Sequence, residues 1–253
     1  MTRDRRWLHL AALTIAVAVT STPALAGIEG YALTITATND AGESASIQIP
    51  APAGLSDFGW SNDQPIEMRA PRTGNLIAVI SPDGLPTSVD FVALHIIGLN
   101  WSVQAGPTGS NFFISSGLLT FPTTTAEGRA TVGMSVSDFN GDGATLTGIG
   151  DPAGAEGAYL AQYNGLAALL LGTTFAEVIH TLAAGSFSSS TTNADVPAVG
   201  FLPIGPPVSD MSVYVSFSLT ANDQASGTST YVIQDRPVAV EPTTWAGVKA
   251  LYR

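Results

Sequence analysis

The ten residues MSVYVSFSLT at 211–220 put Met211, Val213, Val215, Phe217 and Leu219 on one set of alternate positions and Ser212, Ser216, Ser218 and Thr220 on the other. Successive side chains of a strand point to opposite faces, so this period of two predicts a strand with one buried face and leaves little room for a helix. Tyr214 falls on the polar face, where its ring can cover the sheet while its hydroxyl reaches water. RATVGMSVS repeats the pattern with Ala130, Val132, Met134 and Val136 inward, and YALTITAT repeats it with Tyr31, Leu33 and Ile35 inward. The segment NDAGE then joins YALTITAT to SASIQI as an N-terminal hairpin.

Other segments are less regular. SVDFVALHII (88–97) is apolar at both parities and predicts a central strand covered on both sides. Asn164-Gly165 lies between apolar runs and predicts a hairpin turn, because both residues tolerate positive φ; a helix over Leu166 to Leu171 is the rival reading. Thr174 with Glu177 forms a capping box, and Phe175, Val178, Ile179 and Leu182 follow at helical spacing before Gly185. The expected fold is therefore all-β: a two-sheet antiparallel sandwich, jelly-roll-like, with one short helix near 175–183.

Domain boundaries come from the ends. Arg3, Arg5 and Arg6 precede an apolar run from Leu8 to Val19, and Ala24 to Ala26 supply small residues for cleavage before Gly27. This pattern predicts a secretory signal peptide at 1–26, a single β-sandwich domain at 27–236 and a linker with a short amphipathic tail at 237–253. Without Arg3, Arg5, Arg6 and Asp4, the nine basic and 20 acidic residues leave a balance of −13. Such a chain repels phosphate backbones and anionic lipid, which argues against nucleic-acid binding. With no cysteine, stability in an exported protein has to come from the hydrophobic core. No later segment reads as a membrane span, since the longest apolar-leaning stretch, Gly157 to Ala176, is broken by Gln162, Asn164, Gly165 and Gly172.

The segment SDFNGDGATLTG carries the clearest chemistry. Asp138, Asn140 and Asp142 alternate and Gly143 follows, the opening of a loop that wraps oxygen ligands around calcium. The loop then departs from that pattern, with Leu146 and Ile149 where further ligands belong. A complete site needs a distant acid such as Asp151 or Glu156. A plain polar turn is the competing reading, because Asn140-Gly141 and Asp142-Gly143 are both turn dipeptides.

The remaining candidates are dispersed. His95 and His180 have no metal-ligand spacing, and nothing local couples either to a serine, so neither a zinc site nor a hydrolase triad is expected. Trp60, in a loop rich in Asp57, Asp63 and Glu67, and Trp101 are candidate platforms for a glycan; Asn100-Trp101-Ser102 also fits a glycosylation sequon. In the tail, Trp245, Val248 and Tyr252 fall at helical spacing ahead of Arg253 and form a candidate partner-docking face.

Together SVSDFNGDGATLTG, FAEVIHTLAAGSFSSSTT and VSFSLTANDQASGTSTYVI resemble the ectodomains of bacterial exported proteins of the PEP-CTERM type. The resemblance covers about residues 85 to 240 and implies a β-sandwich with a role at the cell surface or in an extracellular matrix. Val240-Glu241-Pro242 is similar to the sorting signal of that group, but the apolar helix and Arg-rich finish do not follow it. The expectation is a non-enzymatic, secreted or surface-attached structural or adhesive protein, a matrix or filament subunit able to self-associate. A calcium-dependent carbohydrate-binding module is the alternative.

Overall fold

The computed structural model describes residues 27–150, 157–169 and 171–236. The expected leader, Asp151, Glu156 and the tail with Trp245, Val248 and Tyr252 lie outside the described residues. In chain order the strands are β1 (Gly27–Asn39), β2 (Ser44–Pro50), β3 (Phe58–Ser61), β4 (Ile66–Arg69), β5 (Leu76–Ile80), β6 (Ser88–Val92), β7 (Ile96–Ala105), β8 (Ser110–Thr124) and β9 (Ala126–Ser137). They continue with β10 (Ala144–Gly148), β11 (Tyr159–Tyr163), β12 (Thr173–Val178), β13 (Thr181–Ala184), β14 (Ser189–Val196), β15 (Leu202–Pro203), β16 (Val208–Leu219) and β17 (Gln224–Asp235).

These strands form a two-sheet antiparallel sandwich, all-β and jelly-roll-like as expected. The first sheet runs β12-β11-β16-β8-β1-β2, with β10 and β13 attached beside β16. The second runs β14-β9-β17-β7-β5-β4, with β6 and β3 alongside β7 and β15 beside β9. Four crossings between the sheets (β7 to β8, β9 to β10, β13 to β14 and β16 to β17) gather at one end of the sandwich. Backbone bonds tie two of them together: Asn222 N–H donates to Gly106 O at 2.9 Å, and Ala105 N–H donates to Asp223 O at 2.9 Å.

The alternating segments behave as their pattern dictates. Met211, Val213, Val215, Phe217 and Leu219 of β16 are all buried, as are Ala130, Val132, Met134 and Val136 of β9. Between the sheets Trp101 stacks on Phe217 with ring centroids 5.0 Å apart, and Phe112 lies 5.3 Å from the same ring on another side. Each such side chain taken out of water contributes about 1.5–3 kcal/mol, which lets a chain without disulfides hold together.

Four local expectations need correction. The segment 175–183 is not helical: β12 and β13 occupy it, with Ile179 at φ 63° between them. Strand β11 offers an open edge there, and the ladder pairs Tyr159 with Val178 and Ala161 with Ala176. Thr, Phe and Val also suit a pleated, half-buried surface. The side chains of the expected capping box bond elsewhere, Thr174 with Gln162 Nε2 at 3.4 Å and Glu177 with Gly157 N–H at 2.9 Å. The segment 88–97 is a hairpin rather than one strand; it turns at His95 (φ 57°), and β6 pairs with β7. Tyr31 is exposed because a bulge between Glu29 and Leu33 shifts the register ahead of the inward Leu33 and Ile35. Finally, Asn164 and Gly165 adopt positive φ, yet the chain does not return at once. A 3-10 turn at Ala167–Leu169 intervenes, held by Ala167 N–H to Ser212 Oγ at 2.7 Å.

Candidate metal centre

The loop from Asp138 to Gly143 joins β9 to β10 at the end where the crossings meet. Asp138 continues the inward alternation of β9 and is buried. Its Oδ1 accepts the N–H of Asn140 at 3.3 Å and of Gly141 at 3.0 Å; its Oδ2 accepts the N–H of Phe187 at 2.6 Å from the β13–β14 crossing. One carboxylate thus organises its own loop and ties it to a second. Burial opposes ionisation of Asp138, but the N–H groups of Phe187, Gly141, Gly143 and Asn140 outweigh it and hold the carboxyl below its usual range.

Asn140 acts as a brace. Its Oδ1 accepts the N–H of Asp142 at 3.2 Å, and its Nδ2 donates to Ala221 O at 3.1 Å in the β16–β17 turn. That turn delivers the residue that local spacing could not reveal. Asp223 has no solvent exposure, and its carboxylate joins those of Asp138 and Asp142, with one oxygen of each within 4.8 Å of the others. Thr220 donates its hydroxyl to Asp223 Oδ2, whereas Asp223 Oδ1 is buried without a hydrogen-bond partner among the described residues. Burial pushes the Asp223 carboxyl up, the Thr220 bond opposes this, and the neighbouring charges of Asp138 and Asp142 push it further up.

Three carboxylates converging around one buried, unpartnered oxygen make an arrangement suited to a hard divalent cation. The donors are all oxygen, which fits calcium or magnesium and not zinc or copper. Asp142 is exposed, so the cluster is open to solvent on one side and can complete its coordination with water or a ligand. The cluster thus takes Asp138 and Asp142 from the loop and Asp223 as the third acid. Of the other expected ligands, Asn140 engages its side-chain amide with Asp142 N–H and Ala221 O, and Asp151 lies outside the described residues. The signal for Asp223 in the sequence is slight: an Asn-Asp turn following the strongly alternating strand 211–219.

Other sequence candidates separate from this centre. Trp101 is 2% exposed and lies in the core, stacked on Phe217, so its ring presents almost no surface to solvent. Trp60 is half-buried, packs against the core and has part of its surface in a hollow with Ser61, Ser88 and Asp90. His95 stacks on Phe121 at 3.9 Å, and His180 is exposed between β12 and β13. Sequence reasoning also passed over Phe139 and Phe187, which are 54% and 74% exposed on the loops that carry the acidic cluster.

No family model matches the chain, and no curated protein matches it. Among solved structures it is similar to the enzymatically active domain of tailspike protein 4 of bacteriophage CBA120, at 8% identity and a TM-score of 0.27 over 80% of this chain and 19% of that one. A family 11 carbohydrate-binding module from Clostridium thermocellum, in complex with a mixed-linked tetrasaccharide, aligns at 10% identity and a TM-score of 0.22 over 73% of this chain and 92% of the module. Isomalto-dextranase from Arthrobacter globiformis T6, complexed with panose, aligns at 10% identity and a TM-score of 0.24 over 82% of this chain and 31% of the enzyme. This chain thus spans about a fifth of the tailspike domain and under a third of the dextranase.

Proposed function

We propose that this chain is an exported, non-catalytic β-sandwich with a structural or adhesive role, whose loop-bearing end is locked by a calcium ion held by Asp138, Asp142 and Asp223. The observation that carries the cation is Asp223: a fully buried carboxylate with one oxygen that has no donor among the described residues, facing two other acids. A buried charge without compensation is strongly unfavourable, and a bound divalent cation supplies that compensation.

Calcium is preferred to magnesium because the ligands come from two separate crossings, and calcium tolerates the irregular geometry that magnesium does not. Extracellular calcium sites function at millimolar affinity, in keeping with the leader-like residues 1–26. The ion clamps the β9–β10 loop to the β16–β17 turn and so holds the two sheets together where disulfides are absent. The alternative reading, a calcium-dependent carbohydrate-binding module with Trp60 or Trp101 as platform, keeps only Trp60, which is half-buried beside a hollow, because Trp101 is buried. Calcium titration of the purified chain, followed by calorimetry and thermal unfolding, tests the proposal. Saturable binding that Asp223→Asn removes supports it, and no calcium response in the wild type overturns it.

A further inference from the structure

A second site lies on the solvent face of the other sheet, independent of the acidic cluster. Across β14, β9, β17 and β7 the register aligns Asn193, Gly133, Thr228 and Asn100 in one row; β6 extends it with Ser88 and β3 with Ser61. The next row aligns Thr191, Ser135, Ser226 and Ser102. Gly133 leaves a dip in the middle of this face. A cavity of about 460 Å³ opens over it, walled on one side by Leu85 and Pro86. That size falls within the range of ligand sites.

The cavity does not stand alone. A hollow of about 300 Å³ shares Gly133, Asn193 and Thr228 with it on one side. Another of about 370 Å³ shares Pro86 on the other, where Ser61, Ser88 and Asp90 line it. Together they make a trough running across the strands.

The wall of the trough is rigidly held. The loop carrying Leu85 and Pro86 runs from Ser81 to Thr87, and both ends are buried in one hydrogen-bonded network. Ser81 Oγ donates to Asn62 Oδ1 at 3.0 Å, and Thr87 N–H donates to the same oxygen at 2.7 Å. Ser102 N–H donates to Thr87 Oγ1 at 3.3 Å, and Gln224 Nε2 donates to Ser102 Oγ at 3.1 Å. Such a satisfied buried network fixes its loop. Leu85, 56% exposed, is thereby kept beside a face of hydroxyls and amides.

We infer that this trough binds a linear, neutral oligosaccharide. The lining of the central cavity is uncharged, and its hydroxyls and amides match sugar hydroxyls. The Leu85-Pro86 wall suits the apolar C–H face of a pyranose ring. Asp90 stands at one end and the Arg129–Asp195 pair at the other, 3.6 Å apart, so the trough carries a net negative charge and disfavours anionic chains. The surface inside the cavity is more apolar than polar and is flanked by hydroxyls and amides, a mixture that a pyranose matches with its C–H face and its hydroxyl edge. A second copy of this chain is the rival occupant, and the experiment below separates the two.

The variant Gly133→Val tests the inference directly. A Cβ built at Gly133 meets nothing closer than Thr192 O at 3.9 Å, so a larger side chain fills the trough without disturbing the core. Neutral hexasaccharides (β-1,4-glucan, β-1,3-glucan, α-1,4-glucan and β-1,4-xylan) are titrated into the full chain by calorimetry, with Leu85→Ala as a second variant that leaves the sheet untouched. The expected result is saturable binding of at least one hexasaccharide, weakened at least tenfold by Gly133→Val and by Leu85→Ala, with unchanged thermal unfolding. Binding should persist in Asp223→Asn, which separates this site from the calcium proposal. The inference is overturned if none of the four binds at millimolar concentration, if binding survives both trough variants, or if light scattering shows a dimer that Gly133→Val dissociates.

Discussion

The indole of Trp101 lies directly over Gly227 on the neighbouring strand: a Cβ added at Gly227 would come within 2.6 Å of Trp101 Cζ2 and 2.9 Å of its Nε1. The ring is wedged between that glycine and Phe217 of the opposite sheet, so position 227 has no spare volume. Gly227→Ala should destabilise the fold by about 1–3 kcal/mol through overpacking, lowering the midpoint of thermal unfolding by several degrees. Gly133→Ala, on the open face of the same sheet, should leave that midpoint unchanged or raise it slightly, since glycine weakens a strand interior. Equal losses in the two variants would contradict this assignment of the two faces.

Calcium should stabilise the wild type. At a concentration about a hundredfold above its dissociation constant, one ion adds about 2.7 kcal/mol, which for a domain of this size corresponds to about 5–10 °C in the unfolding midpoint. Asp223→Asn should abolish that response. In chelator the same variant should be more stable than the wild type, because it removes a buried charge crowded by Asp138 and Asp142. Differential scanning calorimetry with and without calcium reads both effects.

The loop geometry depends on Gly141, which sits at φ 90° with the ring of Phe187 packed where a side chain would go. Gly141→Ala introduces both backbone strain and a clash, and should cost about 1–3 kcal/mol. It also displaces the N–H that Asp138 accepts. Calcium should therefore bind more weakly to Gly141→Ala than to the wild type, as read by the shift of unfolding temperature with calcium.

His95 provides a pH signature away from the acidic cluster. Burial beneath its stack on Phe121 lowers its pKa, with the Asp235 charge and Ile233 backbone opposing. The unfolded chain then takes up a proton more readily than the folded one. The resulting contribution to stability is fully present above the ordinary histidine value of about 6.5 and is lost as pH falls below it. His95→Asn keeps a residue that tolerates φ 57° and should flatten that part of the profile. Unfolding midpoints between pH 5 and 7.5 would show it, and an identical slope in the variant would refute the role given to His95.

Strands β1, β9 and β16 were legible in the sequence because alternation at period two is a local property, and burial of one face follows from it directly. The same rule applied to Ile97, Leu99, Trp101 and Val103 places Trp101 inward, so its burial was legible too, although the residue invited a ligand role. Asp138 and Asp142 could likewise be found from spacing within one loop.

What the tertiary structure decided was everything that depends on partners distant in the chain. The residues 175–183 have helical spacing, but the open edge of β11 offered a ladder, and the chain formed strands. A bulge against β8 turned Tyr31 outward. Asp223 joined Asp138 and Asp142 because the β16–β17 and β9–β10 crossings meet at one end of the sandwich. The trough over Gly133 arose because register aligned small polar residues from successive strands beside an anchored loop. Local patterning fixes which face of a strand is buried; only the pairing of strands fixes which side chains become neighbours.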